Sequence, residues 1–161
     1  MGMRVAFYKV DGGRLCAWRA QLRKRRPFEG TTMTSVASGR NLPHDLAQFV
    51  VESTLGLPHG FWGLLAAGAT FESVRRRRTH PGRQVIRTHH AALIATEHLV
   101  NGHLAAWRAS APTPVSRALD AMLARWQVLP VGTELLVEWP VRPQAELASR
   151  AKRSARVPEL R

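Results

Sequence analysis

The fold of this chain is decided by residues 41–68, NLPHDLAQFVVESTLGLPHGFWGLLAAG. This stretch contains no lysine or arginine, although the whole protein has a formal net charge of +13. The tripeptide Leu-Pro-His opens two apolar segments, at 42–44 and at 57–59. Proline suits the first turn of a helix because its missing N–H is not needed there, and glycine suits the end. We therefore predict two amphipathic helices at the centre of the fold, from Pro43 to Gly56 and from Pro58 onwards.

Towards the N-terminus, the sequence predicts an antiparallel sheet. Residues 3–10 and 14–23 alternate apolar and polar side chains, and Asp11-Gly12-Gly13 between them is typical of a short hairpin turn. Alternation in the second segment predicts one wet face and one buried face, the latter with Cys16, Trp18, Ala20 and Leu22. Residues 29–36 are rich in threonine, which favours a third strand.

Towards the C-terminus, apolar periodicity predicts helices over residues 84–108 and 114–128, and a last strand over 134–139. This order of elements indicates an α+β fold, with an antiparallel β-sheet of three to four strands and about four helices packed on one face. We predict one domain over residues 1–141. Residues 142–161 are basic and have few large apolar side chains, so we predict a disordered tail.

Composition favours a soluble cytoplasmic protein. A chain of 161 residues with 45% hydrophobic residues is long enough to bury one core. No apolar run is long enough to span a bilayer, and the alternating N-terminus predicts a strand rather than a signal peptide. The single cysteine, Cys16, excludes an intrachain disulfide and suits a reducing compartment; we expect it to be a small buried side chain.

Charge is segregated along the chain. Residues 1–40 carry +7, residues 73–90 carry +6 and residues 142–161 carry +4, whereas residues 41–72 carry −3 and residues 91–141 carry −1. The basic residues are 21 arginines and 3 lysines, a bias that a GC-rich genome also produces. Such a bias would scatter arginines along the chain, so their segregation into blocks favours a functional cause.

Our first functional hypothesis is a non-enzymatic protein that binds nucleic acid or another polyanion, with RNA or a ribonucleoprotein preferred. Arginine matches the geometry of phosphates, and clusters of it are typical of proteins that contact the nucleic-acid backbone. The helix pair differs from a DNA-reading helix-turn-helix because its second helix has no arginine or lysine. One cluster lies on the wet face and at the end of the second strand, and the other lies in and after a predicted loop at 75–83. The predicted phosphate contacts are Arg19, Arg23, Lys24, Arg25, Arg26, Arg75, Arg76, Arg77, Arg78, Arg83 and Arg87.

A second hypothesis is a divalent-metal site or a small metal-dependent enzyme. On a helix, His90 and Glu97 share the side that carries the apolar residues of the long helix. One polar face of the first helix gathers His44, Asp45, Gln48 and Glu52. If the two faces meet, these imidazoles and carboxylates suit a divalent metal or an acid–base pair. If the two faces do not meet, we expect Glu97 to pair with an arginine and His90 to cap a carbonyl group. The face with His44 is then exposed to solvent.

A third hypothesis is a protein-interaction module. The segment from Phe61 to Phe71, FWGLLAAGATF, is apolar on most sides and suits a homodimer interface as well as a core. The sequence contains no phosphate-binding loop, dinucleotide fingerprint, HExxH motif or GxSxG motif. We therefore predict no catalytic residue, and no cofactor unless the metal hypothesis holds.

The central third of the chain also carries a resemblance. LPHDLAQFVVE followed by GLPHGFWGLLAAGATF resembles a stretch of small, uncharacterised bacterial proteins from GC-rich genomes. The resemblance implies no activity, cofactor or site residue.

Overall fold

The computed structural model of the chain describes residues 2–22, 27–33, 40–72 and 78–140. The protein has an α+β fold, in which α-helices pack against one face of a four-stranded antiparallel sheet. The predicted fold class is confirmed, with five α-helices in the described residues rather than about four. The predicted tail at 142–161 lies outside the described residues, so its disorder stays a prediction.

The sheet begins with the predicted hairpin. Strands β1 (Arg4–Val10) and β2 (Leu15–Gln21) are joined by a single 3₁₀ turn at Asp11–Gly13. Gly12 has φ 62° and Gly13 has φ 89°, values that glycine adopts without steric strain. The DGG sequence therefore fixes where the chain reverses.

Two further strands complete the sheet. Strand β3 (Phe28–Met33) pairs with β2, and β4 (Glu134–Glu138) pairs with β1, which gives the strand order β3-β2-β1-β4. Each pairing is antiparallel. Both strands agree with the sequence prediction, although residues 34–36 of the predicted third strand lie outside the described residues.

The inner face of the sheet is apolar. Phe7 lies opposite Trp18 on β2 and opposite Leu135 on β4, and all three side chains are buried. Cys16 and Ala20 share this face with Trp18, as the alternation of β2 predicts.

The outer face of the sheet carries both basic and acidic side chains, which form ion pairs. Arg4 Nε lies 3.1 Å from Glu138 Oε1, and Arg19 Nη2 lies 3.1 Å from Glu134 Oε1. Exposed pairs of this kind add little stability. The second pair places the carboxylate of Glu134 beside Arg19. The outer face is therefore not uniformly basic, although the sequence of β2 alone indicates a basic face.

The helices pack on the inner face. Their bounds are α1 (His44–Leu55), α2 (Phe61–Ala66), α3 (His80–Thr88), α4 (His90–Arg108) and α5 (Ser116–Gln127). The first and last of these agree closely with the predicted helices. Helix α1 ends at a left-handed glycine, Gly56, with φ 65°, as predicted.

The long helix predicted over 84–108 is wrong in two respects. A second helix, α3, begins at His80 inside the predicted loop, because Thr79 caps it by accepting the N–H of Gly82 at 3.1 Å. The chain then leaves helical geometry at His89, with φ −110° and ψ 19°, before α4 begins. His90 is the first residue of α4, directly after the non-helical His89, and its side chain is exposed at this helix end instead of facing the core.

The second predicted helix is also shorter than expected. It begins at Phe61 rather than at Pro58, and Pro58 and His59 lie in the turn before it. Trp62 on this helix is 0% exposed and lies at the centre of an aromatic cluster. Its ring centroid lies 4.7 Å from that of Trp18, 5.4 Å from that of Phe49 and 5.6 Å from that of Phe7, all in edge-on geometry.

We predict that a Gly→Ala substitution has opposite effects on the free energy of unfolding at two helical glycines, Gly63 and Gly102. In α2, a Cβ added to Gly63 would lie 2.3 Å from the carbonyl oxygen of Pro58. Backbone cannot move aside easily, so we expect Gly63→Ala to lower the free energy of unfolding by about 1–3 kcal/mol. Urea unfolding followed by Trp fluorescence measures this change.

Gly102 provides the matched control. It is exposed in α4, and an added Cβ would have no neighbouring atom of the described structure within 4 Å. Gly102→Ala should therefore raise the free energy of unfolding by up to about 1 kcal/mol, through helix propensity alone. Equal effects of the two substitutions would show that the close approach at Gly63 has no energetic consequence.

Candidate functional site

The site is built around a completely buried carboxylate. Glu52, on α1, is 0% exposed. Its Oε1 accepts the backbone N–H of Trp62 at 3.1 Å and that of Gly63 at 3.3 Å. The first N–H groups of a helix have no partner within the helix. Glu52 therefore supplies the acceptors that the first turn of α2 needs, which explains why α2 begins where it does.

The turn between α1 and α2 brings these groups together. After Gly56, the N–H of Leu57 donates to the backbone carbonyl of Glu52 at 2.9 Å, which turns the chain back. Gly60 then passes so close to the carboxylate that an added Cβ would lie 2.3 Å from Glu52 Oε1. A side chain at position 60 would displace the carboxylate from its donors.

The amide of Gln48 links Glu52 to α4. Gln48 is 4% exposed, and its Nε2 donates to Glu52 Oε2 at 2.9 Å and to Glu97 Oε1 at 2.6 Å. The side chains of Glu52 and Glu97 therefore share one donor. The distance between Glu52 Oε2 and Glu97 Oε1 cannot exceed the sum of these two hydrogen-bond lengths. The polar faces of α1 and α4 meet here.

Burial changes the acidity of Glu52. The pKa of Glu52 is raised from 4.5 to about 8, chiefly because burial removes solvent from the carboxyl group and in smaller part because of the negative charge of Glu97. Hydrogen bonds from the Gln48 amide and from the backbone N–H groups of Gly63 and Trp62 act in the opposite direction. The carboxyl group of Glu52 is therefore largely protonated at neutral pH.

Asp45 joins this network to the sheet. Its Oδ2 accepts the indole N–H of Trp18 at 2.9 Å, and its backbone carbonyl accepts the indole N–H of Trp62 at 3.0 Å. His44 Nδ1 lies 3.5 Å from Asp45 Oδ1, and this contact raises the pKa of His44 above its ordinary value. Both central tryptophans are thus fixed by one residue of α1.

An open pocket of about 340 Å³ lies beside the network. Phe61, Phe71 and Trp18 form its aromatic walls, and Gly30 and Leu93 add apolar surface. Its polar lining consists of Asp45, Gln48 and Glu97. Gly30 is required here, because an added Cβ would lie 2.4 Å from the indole of Trp18.

The predicted metal set is not assembled. Within the described residues, no group of three or more His, Cys, Asp or Glu side chains could hold a metal ion. His90 is exposed at the start of α4, for the reason given above. Glu52 and Glu97 come together, but an amide N–H of Gln48 lies between them. The prediction that His44, Asp45, Glu52, His90 and Glu97 form one ligand set is therefore wrong.

The predicted phosphate contacts divide into three groups. Arg19 and Arg78 are ion-paired, with Glu134 and Glu72 respectively. Arg83 and Arg87 are exposed on α3, and neither forms an ion pair with a described residue. The remaining predicted contacts lie outside the described residues: Arg23, Lys24, Arg25, Arg26, Arg75, Arg76 and Arg77.

A shallow groove of about 440 Å³ adjoins the arginines of α3. Arg78, Arg83 and Arg87 line it together with Glu72, and Thr70, Phe71 and Ile86 form the rest of its surface. Phe71 therefore separates a groove lined by arginines from a pocket lined by carboxylates.

The apolar segment predicted as a dimer interface contributes mainly to the core. Trp62 is completely buried, whereas Phe61 and Phe71 are half-buried, with ring centroids 4.9 Å apart. Homodimer formation through this segment stays a prediction. Cys16 is buried as expected, and burial raises the pKa of its thiol to about 12, so its thiolate is scarce at neutral pH.

Comparison of the chain with family models, curated proteins and solved structures gives no match. The resemblance to small bacterial proteins therefore stays a prediction. In the described part of the chain, no helix has the length and apolar character needed to cross a membrane.

Sequence reasoning did not predict the contacts that two residues make in this network. Gln48 was grouped with the polar face of α1, but the sequence gives no sign that its amide connects two carboxylates. Trp18 was correctly placed on the buried face of β2, yet nothing local indicates that its indole N–H reaches Asp45. Both contacts join residues distant in the chain, and only a search for partners of buried polar groups would have suggested them.

The raised pKa of Glu52 predicts a specific pH dependence of stability. The folded state keeps a proton on Glu52 that the unfolded chain releases above its ordinary pKa of 4.5. Stability should therefore fall by up to about 1.4 kcal/mol per pH unit as the pH rises from 4.5 to about 8. Glu52→Gln, which is neutral at every pH, should remove this contribution. Urea unfolding of both proteins across this pH range measures the difference.

Glu138→Gln is the matched control, because Glu138 is exposed on β4 with a side-chain exposure of 71%. It should leave the pH dependence of unfolding unchanged. Other titrating groups, including His44, are common to all three proteins and cancel in the comparison. If the free energy of unfolding of Glu52→Gln and of wild type had the same pH dependence, Glu52 would be ionised in the folded state.

Proposed function

We propose that this protein binds nucleic acid, with RNA as the preferred form, and contacts phosphates through the basic face of α3. The observation that carries the proposal is the arrangement of exposed side chains on this helix. His80, Arg83, Gln84 and Arg87 follow the spacing of one helical face, and all four are exposed. A single helix therefore presents two arginines and two further polar side chains in one direction.

The electrostatic state of these arginines supports phosphate binding. Arg83 and Arg87 have no carboxylate partner among the described residues, so their guanidinium groups need not leave an ion pair to bind phosphate. Arg19 is paired with Glu134 and is a weaker candidate than the sequence alone indicates. Residues 73–90 contain six arginines and no acidic residue, which adds positive potential to this surface.

The preference for RNA rests on the groove beside α3. Phe71 and Ile86 provide an apolar surface next to the arginines. Unstacked bases of single strands pack on aromatic rings, whereas a regular duplex keeps its bases stacked inside. A groove that combines an aromatic ring with arginines suits a single strand better than a duplex.

The proposal predicts a change in the salt dependence of binding. Binding of a fluorescent single-stranded RNA is measured by anisotropy across a salt series, for wild type and for Arg83→Ala/Arg87→Ala. Each lost phosphate contact should flatten the slope of log K against log salt by roughly 0.7, so the double substitution should reduce it by roughly 1.4. A DNA duplex of matched sequence should bind more weakly than the RNA at every salt concentration.

Arg117→Ala/Arg125→Ala is the matched control, because it also removes two exposed arginines, on α5. If both double substitutions flattened the slope equally, net charge rather than the face of α3 would govern binding. RNA binding by wild type that disappears at about 0.15 M salt would remove the proposal, because nonspecific attraction alone is screened there.

A further inference from the structure

The pocket beside Glu97 has a chemical character opposite to that of the protein as a whole. The protein has a formal net charge of +13. Among the described residues that line the pocket, none is basic, and the charged ones are Asp45 and Glu97. His44 Nδ1 lies 3.5 Å from Asp45 Oδ1, so the ring adds a positive charge beside the lining when it is protonated. The lining therefore favours a ligand of positive charge.

The aromatic walls favour the same kind of ligand. Phe61 and Phe71 are half-buried, with their ring centroids 4.9 Å apart and their planes inclined by 42°. Trp18, the third aromatic residue of the walls, is only 1% exposed. The faces of aromatic rings attract ammonium and guanidinium groups, and this attraction is stronger where water is partly excluded.

The carboxylates are held in place before any ligand binds. Glu97 Oε1 accepts the amide of Gln48 at 2.6 Å, and Asp45 Oδ2 accepts the indole of Trp18 at 2.9 Å. Each contact uses one oxygen of its carboxylate, and no donor to Glu97 Oε2 is found among the described residues. The free oxygen can accept N–H groups from a ligand, which a quaternary ammonium ion cannot supply.

We propose that this pocket binds a small organic cation carrying N–H groups, namely a primary ammonium or a guanidinium attached to an apolar body. The cation contacts Glu97 and Asp45, and the apolar body packs on Phe61 and Phe71. A volume of about 340 Å³ lies at the lower end of the range for small-molecule sites, so the ligand is a small molecule. The observations behind this proposal are separate from those behind polyanion binding at α3.

Three probes of similar shape and different charge test the proposal. They are 2-phenylethylammonium, the neutral 2-phenylethanol and the anionic 3-phenylpropanoate, each titrated into the full chain by isothermal titration calorimetry at neutral pH. We expect saturable binding of the ammonium at one site per chain. The alcohol should bind at least about tenfold more weakly, and the anion should not bind. 2-Phenylethylguanidinium should bind as the ammonium does.

Two conservative substitutions connect the binding to this pocket. Glu97→Gln keeps an oxygen for the amide of Gln48 but loses the charge, and should weaken ammonium binding by roughly tenfold. Glu134→Gln removes one carboxylate from the outer face of the sheet and should leave the affinity unchanged. Thermal melting of both variants verifies that they fold.

Several outcomes would overturn the proposal. Equal affinity for the ammonium and the alcohol would show an apolar pocket without charge selectivity. Absence of ammonium binding to wild type would exclude the site directly, whether or not Glu97→Gln folds. Equal weakening by Glu97→Gln and Glu134→Gln would assign the effect to net charge. RNA binding is measured separately, so failure of either proposal leaves the other testable.

Discussion

The centre of this fold depends on the hydrogen bonds between the Glu52 carboxyl group and the first turn of α2. Helix α2 has only six residues and contains a glycine, so it is too short to be stable by itself. Burying a carboxyl group without partners is costly, but here the backbone N–H groups of Trp62 and Gly63 and the amide of Gln48 satisfy it. The carboxyl group accepts N–H groups that have no partner within α2, and these N–H groups provide the carboxyl group with hydrogen bonds in the core.

The same interaction positions the aromatic core and the candidate pocket. Because α2 is held at Glu52, Trp62 is placed among Phe7, Phe49 and Trp18, and its indole N–H reaches the backbone of Asp45. The side chain of Asp45 then fixes Trp18, which lines the pocket. Gln48 connects Glu52 to Glu97, the second charged group of the pocket wall. A structural network and a binding surface thus share their residues.

The correct predictions from the sequence concern features that depend on local chemistry. The hairpin at Asp11–Gly13 and the end of α1 at Gly56 depend on glycines within the elements themselves. The start of α2 was missed because it depends on Glu52, which lies nine residues before Phe61. The break at His89 was missed because apolar periodicity continues across it, so His90 was not expected at the exposed end of a helix. In the site, Glu97 was found because a charged residue on a buried stripe is unusual, and Glu52 was found as part of the polar face of α1. A neutral amide such as Gln48 gives no comparable signal.

The two proposed binding surfaces meet at one aromatic ring. Phe71 lines both the carboxylate pocket and the arginine groove, so charges of opposite sign lie on its two sides. If both surfaces bind as proposed, Arg83 and Arg87 lower the affinity of the pocket for a cation in the free protein, and Asp45 and Glu97 lower the affinity of the groove for a phosphate. A phosphate bound at the groove would neutralise the arginines and favour a cation in the pocket, and linkage requires the reverse effect to be equal. Salt screens charges separated by more than about 8–10 Å, so this coupling depends on the proximity that Phe71 provides. Segregation of charge in a strongly basic protein can therefore connect two sites electrostatically without a change of conformation.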